Sequence, residues 1–137
     1  MNKTMAITAI VFVAVVMGTS MVAPAMAPNL VDIDIKPGSD PNSINSRSMG
    51  LVPVAILGSD TFDVSEVDVS TLVFGPSDAT PAHNGHLDDV NGDGLPDLVT
   101  HYVQKLTGLA SSDTEACLTG ETLDGTPIVA CDAVRVK

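Results

Sequence analysis

The chain has 137 residues, with 17 acidic and 6 basic side chains and a formal net charge of −11 at pH 7. A surface this acidic repels phosphate backbones and anionic lipid headgroups, so nucleic acid and acidic membranes are unsuitable partners. Clustered carboxylates instead favour a hard cation such as calcium as their counter-charge.

The first 25 residues have the layout of a secretory signal peptide. Lys3 is their only charged residue, an apolar run follows over 5–17, and a small residue precedes the expected cleavage site after Ala25. Cleavage leaves residues 26–137 as a single extracellular domain, secreted or held at the cell surface. Because residues 5–27 carry no charge, an uncleaved N-terminal anchor is the alternative. No second apolar span follows, so we expect no membrane span in the mature chain.

Short apolar runs between turn-forming residues predict strands along the rest of the chain. Residues 77–86 are predicted as loop, and Pro53 indicates that its strand lies at a sheet edge or carries a bulge. The predicted strands are 30–35, 51–57, 61–64, 70–74, 98–104 and 133–136, with a helical turn at 65–68 and a hairpin around 124. Seven or eight short strands without a long helix predict an all-β domain, either an antiparallel β-sandwich or a small barrel.

The two cysteines, Cys117 and Cys131, predict a disulfide, since the chain is bound for an oxidising compartment. If residues 123–125 form a three-residue loop with Gly125 in the left-handed conformation, the hairpin register places the cysteines directly opposite each other. They and Pro127 then fall on non-hydrogen-bonded rungs, where Cα atoms come closest and proline loses no ladder bond. A two-residue turn would shift this register and separate the cysteines.

The acidic segment that follows the predicted loop has the spacing of a calcium loop. Oxygen-bearing side chains occupy positions 1, 3, 5 and 9, glycine stands at position 6, and a backbone carbonyl falls at position 7. Calcium requires six to eight oxygens, and alternate side chains of a tight loop can converge on one ion. The predicted ligands are Asp89, Asn91, Asp93, the Leu95 carbonyl and Asp97. An ordinary solvated turn is the alternative, since Asp, Asn and Gly also favour turns.

The loop is not an EF-hand, because position 12 is Thr100 rather than Glu and a β-rich run follows. The string Asp-Val-Asn-Gly-Asp-Gly-Leu-Pro-Asp-Leu-Val, residues 89–99, resembles the calcium loops of integrin-type β-propellers, in which the ninth-position Asp completes the site. A propeller needs several blades and this chain holds one copy, so the resemblance extends to the loop and not to the fold.

Further segments of the mature chain together resemble a recurring module of secreted prokaryotic proteins whose function is not established. These segments are 31–39, 41–45, 52–58, 74–76 and 113–120. The resemblance covers nearly all of the mature chain and implies an accessory extracellular domain, sometimes attached to larger surface proteins. It implies no substrate and no catalytic residues.

Three histidines offer a second possible metal site. His83 and His86 lie just before the acidic loop with His-x-x-His spacing, and His101 follows it by the length of a strand. Imidazole suits copper and zinc, although exposed loop histidines with no ligand are the plainer interpretation.

No catalytic motif is recognisable in the chain. We find no nucleophile elbow, phosphate loop or zinc-protease helix. One Tyr, three Phe and no Trp leave few aromatic platforms for a glycosidase cleft. The sequence therefore predicts a secreted, calcium-stabilised, non-catalytic structural or adhesion module that contacts a cell-surface protein or a glycan. The alternative is an extracellular copper- or zinc-binding protein that uses the histidines.

Overall fold

The computed structural model describes residues 27–137, so the predicted signal peptide lies outside the described residues. Within this range the regular structure consists of ten strands and two short 3-10 turns, Val64–Glu66 and Gln104–Thr107. The strands are β1 (Asn29–Leu30), β2 (Ile33–Ile35), β3 (Ser43–Ile44), β4 (Leu51–Ile56), β5 (Val67–Phe74), β6 (His86–Asp88), β7 (Asp97–Val103), β8 (Glu115–Thr122), β9 (Pro127–Ala133) and β10 (Arg135–Val136). None of the helices over residues 27–137 has the length and apolar character needed to cross a membrane.

The strands form two four-stranded sheets with the orders β1-β9-β8-β5 and β2-β4-β7-β6, and a small sheet of β10 and β3. The two large sheets pack face to face: the rings of Phe74 in β5 and Tyr102 in β7 meet between them, 5.1 Å apart. Neither sheet closes into a barrel. The predicted all-β sandwich is therefore confirmed, with the difference that β1 pairs with β9, and β10 with β3, in parallel.

The core lies between the two large sheets, because strands with period-2 patterning bury one face. In β9, for example, Ile128 and Ala130 are buried while Val129 and Cys131 are exposed. Burying one large aliphatic or aromatic side chain contributes about 1.5–3 kcal/mol. The fully buried apolar side chains include Ile35, Val54, Ile56, Leu72, Phe74, Tyr102, Leu118 and Ile128.

The disulfide hairpin of β8 and β9 has the predicted register. Cys117 faces Cys131 with their Cα atoms 4.0 Å apart, and the two sulfurs are bonded. Gly125 adopts the predicted left-handed conformation, with φ of 87°. The disulfide joins the outer face of the sheet, since the neighbouring Ala116 and Leu118 are buried on the inner face. It therefore braces the hairpin without entering the core.

The predicted strand over 30–35 is wrong as a single element. Its first part, β1, pairs with β9 in one large sheet, and its last part, β2, pairs with β4 in the other. The chain thus crosses from one sheet to the other at Val31 and Asp32. The alternating pattern continues through this crossing, so periodicity alone could not locate it.

The prediction that Pro53 lies at a sheet edge or bulge is also wrong. Its strand, β4, lies between β2 and β7, in continuous register with both. Pro53 is tolerated because its nitrogen faces the end of β2, where the chain turns away at Lys36 (φ 52°). The Lys36 amide still donates to the Pro53 carbonyl (2.8 Å), and the Lys36 carbonyl accepts from Ser39 instead (2.9 Å). No ladder bond is missing as a result.

Other local predictions shift by a few residues. Residues 61–64 form no strand, only a bridge between Ser59 and Phe62, and the helical turn begins at Val64 rather than 65. The strand predicted over 70–74 begins earlier, at Val67. The region predicted as loop over 77–86 ends in β6, because His86 pairs with Val99 of β7. The pairing of β6 with β7 matters for the site, because it fixes both ends of the acidic loop.

Candidate calcium loop and histidine cluster

The acidic loop connects two paired strands of one large sheet. β6 and β7 run antiparallel, and Asp88 facing Asp97 is their last pair. The residues between them form a tight connection in which Gly92 and Gly94 both have positive φ, 75° and 84°. Glycine adopts this conformation without a steric penalty, so it is the residue best suited to the predicted sixth position. The loop therefore projects from a rigid two-strand base.

The Asp89 carboxylate lies at the centre of the loop. Its Oδ1 accepts hydrogen bonds from the amides of Gly92 (2.9 Å) and Asp93 (3.2 Å), and its Oδ2 accepts one from Gly94 (2.9 Å). These bonds curl the chain around the side chain at the predicted first ligand position. About one of the four acceptor positions of the carboxylate is left for a further partner.

The next predicted ligands are exposed at the tip of the loop. The Asn91 side-chain oxygen accepts from the Asp93 amide (3.3 Å), and Asp93 Oδ1 accepts from the Leu95 amide (2.9 Å). Each bond spans two residues, the Asx-turn pattern that orders a tight loop locally. The Leu95 carbonyl accepts no hydrogen bond from residues 27–137. The exposed side chains of Asn91 and Asp93 can turn toward a cation if they give up these local bonds.

Asp97 differs from the other predicted ligands because it is buried, with none of its surface exposed. Its Oδ1 accepts from the Gly58 amide (2.8 Å) and its Oδ2 from the Val90 amide (2.9 Å). Gly58 also packs against the loop so closely that a Cβ there would lie 2.2 Å from the Pro96 carbonyl oxygen. Asp97 thus fastens the two ends of the loop to each other and to the turn that follows β4.

The loop carboxylates are not gathered around one point in this conformation. Those of Asp89, Asp93 and Asp97 do not all lie within 4.8 Å of one another. Oxygens bound to one calcium at 2.3–2.6 Å would lie within about twice that distance. Binding would therefore require the exposed side chains of Asp89 and Asp93 to rotate toward the fixed Asp97. The donor set is all oxygen, which suits calcium and not copper or zinc.

The base of the loop lies in an electrostatically negative region. Partial burial raises the pKa of Asp34, and the nearby carboxylates of Asp132 and Asp97 raise it further. Asp132 Oδ2 accepts from the Ile35 amide (3.0 Å), which brings this carboxylate from β9 to the edge of β2. Like charges gathered this way favour a bound cation or a bound proton.

The three histidines lie together beside the acidic loop, although His101 is distant from the other two in sequence. The ring of His101 is 5.0 Å from that of His83 and 5.7 Å from that of His86, and it stacks on the latter. Burial lowers the pKa of His101, and the two neighbouring imidazoles lower it further. His86 and His101 line an open groove of about 420 Å³ together with Asp88 and Asp89, whereas His83 lies outside the lining of this groove.

The remaining group of metal-type side chains over residues 27–137 is Glu115 with Cys117 and Cys131. Its sulfurs are bonded to each other. A disulfide is not a thiolate ligand, so this group offers a metal only one carboxylate.

Sequence reasoning missed one member of the loop assembly, Gly58. In the sequence, Gly58 indicates only the end of a strand. In the structure, its amide is one of the two donors that hold the Asp97 carboxylate. The two residues are 39 positions apart, and no local pattern signals their pairing.

Comparison of the chain with family models, curated proteins and solved structures finds no match. Its function is therefore inferred from the chemistry of these residues.

Proposed function

We propose that this protein is a secreted, calcium-stabilised, non-catalytic module with a structural or adhesive role. Calcium would bind the loop between β6 and β7 and order it as part of a contact surface. The ligands would be Asp89, Asn91, Asp93, the Leu95 carbonyl and Asp97.

The observation that supports the calcium proposal best is the contrast in burial and hydrogen bonding between the base of this loop and its tip. Asp97 is buried and held in place by two amides, whereas Asn91 and Asp93 are exposed and make only local bonds. A fixed carboxylate at the base and adaptable oxygens at the tip suit an ion that accepts irregular coordination. No lysine or arginine side chain of residues 27–137 hydrogen-bonds to these acids, so their charge is not compensated within the described fold.

The expected stabilisation by calcium is small. Extracellular modules bind calcium with a Kd of about 0.1–1 mM, so about 1 mM calcium would add roughly 0.4–1.4 kcal/mol by mass action. Stabilisation of that size orders a loop but does not decide whether the domain folds. The core and the disulfide supply the rest of the stability.

Secretion is supported by the disulfide between Cys117 and Cys131. Such bonds persist in oxidising compartments and are rare in the reducing cytosol. Together with the signal-like residues 1–25, the disulfide favours a location outside the cytoplasm.

A protein partner fits the surface better than a glycan does. Phe62, Phe74 and Tyr102 are all buried, so no Phe, Tyr or Trp side chain of residues 27–137 is exposed for stacking on a sugar ring. Leu30 and Val129 face each other at the edge of one sheet and are both exposed. Leu30 lies on the edge strand β1 and Val129 on its neighbour β9. An exposed apolar pair beside a sheet edge suits contact with another polypeptide.

The calcium proposal is tested by thermal unfolding of the oxidised protein in EDTA and then in increasing calcium. The midpoint should rise by roughly 2–6 °C near 1 mM calcium, from the free energy above and about 4 °C per kcal/mol for a domain of this size. Asp93→Ala should abolish the rise. Asp60→Ala, which removes an exposed acid outside the loop, should leave it unchanged. A midpoint equal in EDTA and calcium would reduce the loop to an ordinary turn.

A further inference from the structure

All three histidines of the chain belong to one cluster. They come from three segments: His83 from the loop before β6, His86 from the first residue of β6, and His101 from the middle of β7. The His101 ring lies near both of the others, with its centroid 5.0 Å from that of His83 and 5.7 Å from that of His86. Rings at these distances belong to one surface site rather than to three separate positions.

The backbone around the cluster is rigid. The Ala82 amide donates to the His101 carbonyl (2.8 Å), which fastens the loop that carries His83 to β7. Gly85 has a positive φ of 82° and approaches β7 so closely that a Cβ there would lie 2.6 Å from the Val99 carbonyl oxygen. The turn between His83 and His86 is therefore pressed against the strand that carries His101.

The central imidazole has an unused nitrogen. His101 Nδ1 is buried and has no hydrogen-bond partner among the described residues. A buried ring nitrogen with no donor or acceptor loses its hydration without compensation, and such groups in folded proteins call for a specific explanation. His83 and His86 are both exposed, so their rings can rotate at little cost.

We propose that His83, His86 and His101 form a binding site for a divalent transition metal of the zinc and copper type, separate from the calcium loop. The ring nitrogens do not all lie within 4.8 Å of one another in the stacked arrangement. Binding therefore requires the two exposed rings to rotate out of the stack toward His101. Imidazole nitrogen is a preferred donor for zinc and copper and a poor one for calcium, so the two sites select different ions.

The surroundings favour a cation at this position. Asp88 and Asp89 line a groove of about 420 Å³ together with His86 and His101, and this groove is open to solvent. Their negative charge would raise the local concentration of a divalent ion, and the open groove leaves coordination positions for water. This inference does not depend on calcium binding, because no residue of the triad is a predicted calcium ligand.

The test is a zinc titration of the purified, oxidised protein with calcium in excess, which keeps the acidic loop from binding the probe. Isothermal calorimetry should show one zinc per chain, and the imidazole proton signals of all three histidines should shift together in the NMR spectrum. Loss of a residue that only supports a metal ligand weakens metal binding by roughly 10- to 100-fold. His83→Gln and His86→Gln each remove a proposed ligand, so each should weaken zinc binding by at least that factor.

Asn84→Ala is the matched control, since Asn84 is an exposed residue of the same turn and carries no imidazole. It should bind zinc as the parent does. Thermal unfolding in EDTA checks that the two exposed histidine variants remain folded. The proposal is overturned if zinc does not bind, if the variants bind as tightly as the parent, or if fewer than three imidazole signals respond.

Discussion

Removal of the Asp97 carboxylate should destabilise the protein even when no calcium is present. Asp97 is fully buried, and it is the acceptor for the Gly58 amide (2.8 Å) and the Val90 amide (2.9 Å). In Asp97→Ala both amides lose their partner. An unsatisfied buried donor costs about 1–3 kcal/mol, and the bond from the Val90 amide is only partly buried. We therefore expect the free energy of unfolding to fall by about 2–4 kcal/mol. Asp97→Asn keeps one acceptor oxygen and should lose about half as much.

The assay is thermal or urea unfolding in EDTA, beside Asp93→Ala. Asp93 is exposed, and within residues 27–137 its side chain accepts a hydrogen bond only from the Leu95 amide. Asp93→Ala should therefore lower the free energy of unfolding by no more than about 0.5 kcal/mol in EDTA. At about 4 °C per kcal/mol, the midpoint of Asp97→Ala should fall by roughly 8–16 °C. A midpoint equal to that of the parent would refute the assignment of Asp97 as the residue that fastens the loop. An equal loss in Asp93→Ala would place the stabilising bonds at the tip instead.

Three further predictions concern the scaffold and one partly buried acid. Replacing both Cys117 and Cys131 by Ser should lower the unfolding free energy by about 3 kcal/mol, the chain-entropy value for a loop of this size; an unchanged urea midpoint would show that strand pairing alone holds the hairpin. Gly58→Ala should cost more than about 1 kcal/mol in the same assay, because the added Cβ would meet the Pro96 carbonyl oxygen at 2.2 Å and neither backbone can yield freely. Asp34→Asn should raise the midpoint at neutral pH, because burial and neighbouring carboxylates raise the pKa of Asp34 and so disfavour its charged form in the folded state. That gain should shrink as the pH falls through the raised pKa toward the ordinary value of 3.8, and a gain that does not vary with pH would contradict it.

Features set by neighbouring residues were predictable from the sequence. The register of the disulfide hairpin follows from one turn, because a three-residue loop with Gly125 in the left-handed conformation leaves only one pairing for Cys117 and Cys131. The conformation of Gly94 at the sixth position of the acidic loop is local in the same way. The all-β class follows from the summed pattern of short apolar runs, which needs no knowledge of strand order.

Features set by pairing between distant segments were not predictable. The sheet crossing at Val31 and Asp32 lies inside an uninterrupted alternating pattern. Pro53 is acceptable in an interior strand only because β2 ends opposite it, at Lys36. The histidine cluster needs β6 to pair with β7 in one particular register, and β6 lies partly in a segment whose composition indicates loop.

The difference in order between the base and the tip of the acidic loop limits how far calcium binding could change this protein. Contacts within the protein order the base of the loop, because Asp97 is the first residue of β7 and accepts the Gly58 and Val90 amides. Calcium could therefore add order only at the tip, where Asn91 and Asp93 are exposed. A ligand that orders only a few residues adds little to the free energy of unfolding beyond the mass-action contribution of its binding. The loop is thus better suited to presenting a fixed surface wherever calcium is steadily present than to switching the domain between two conformations.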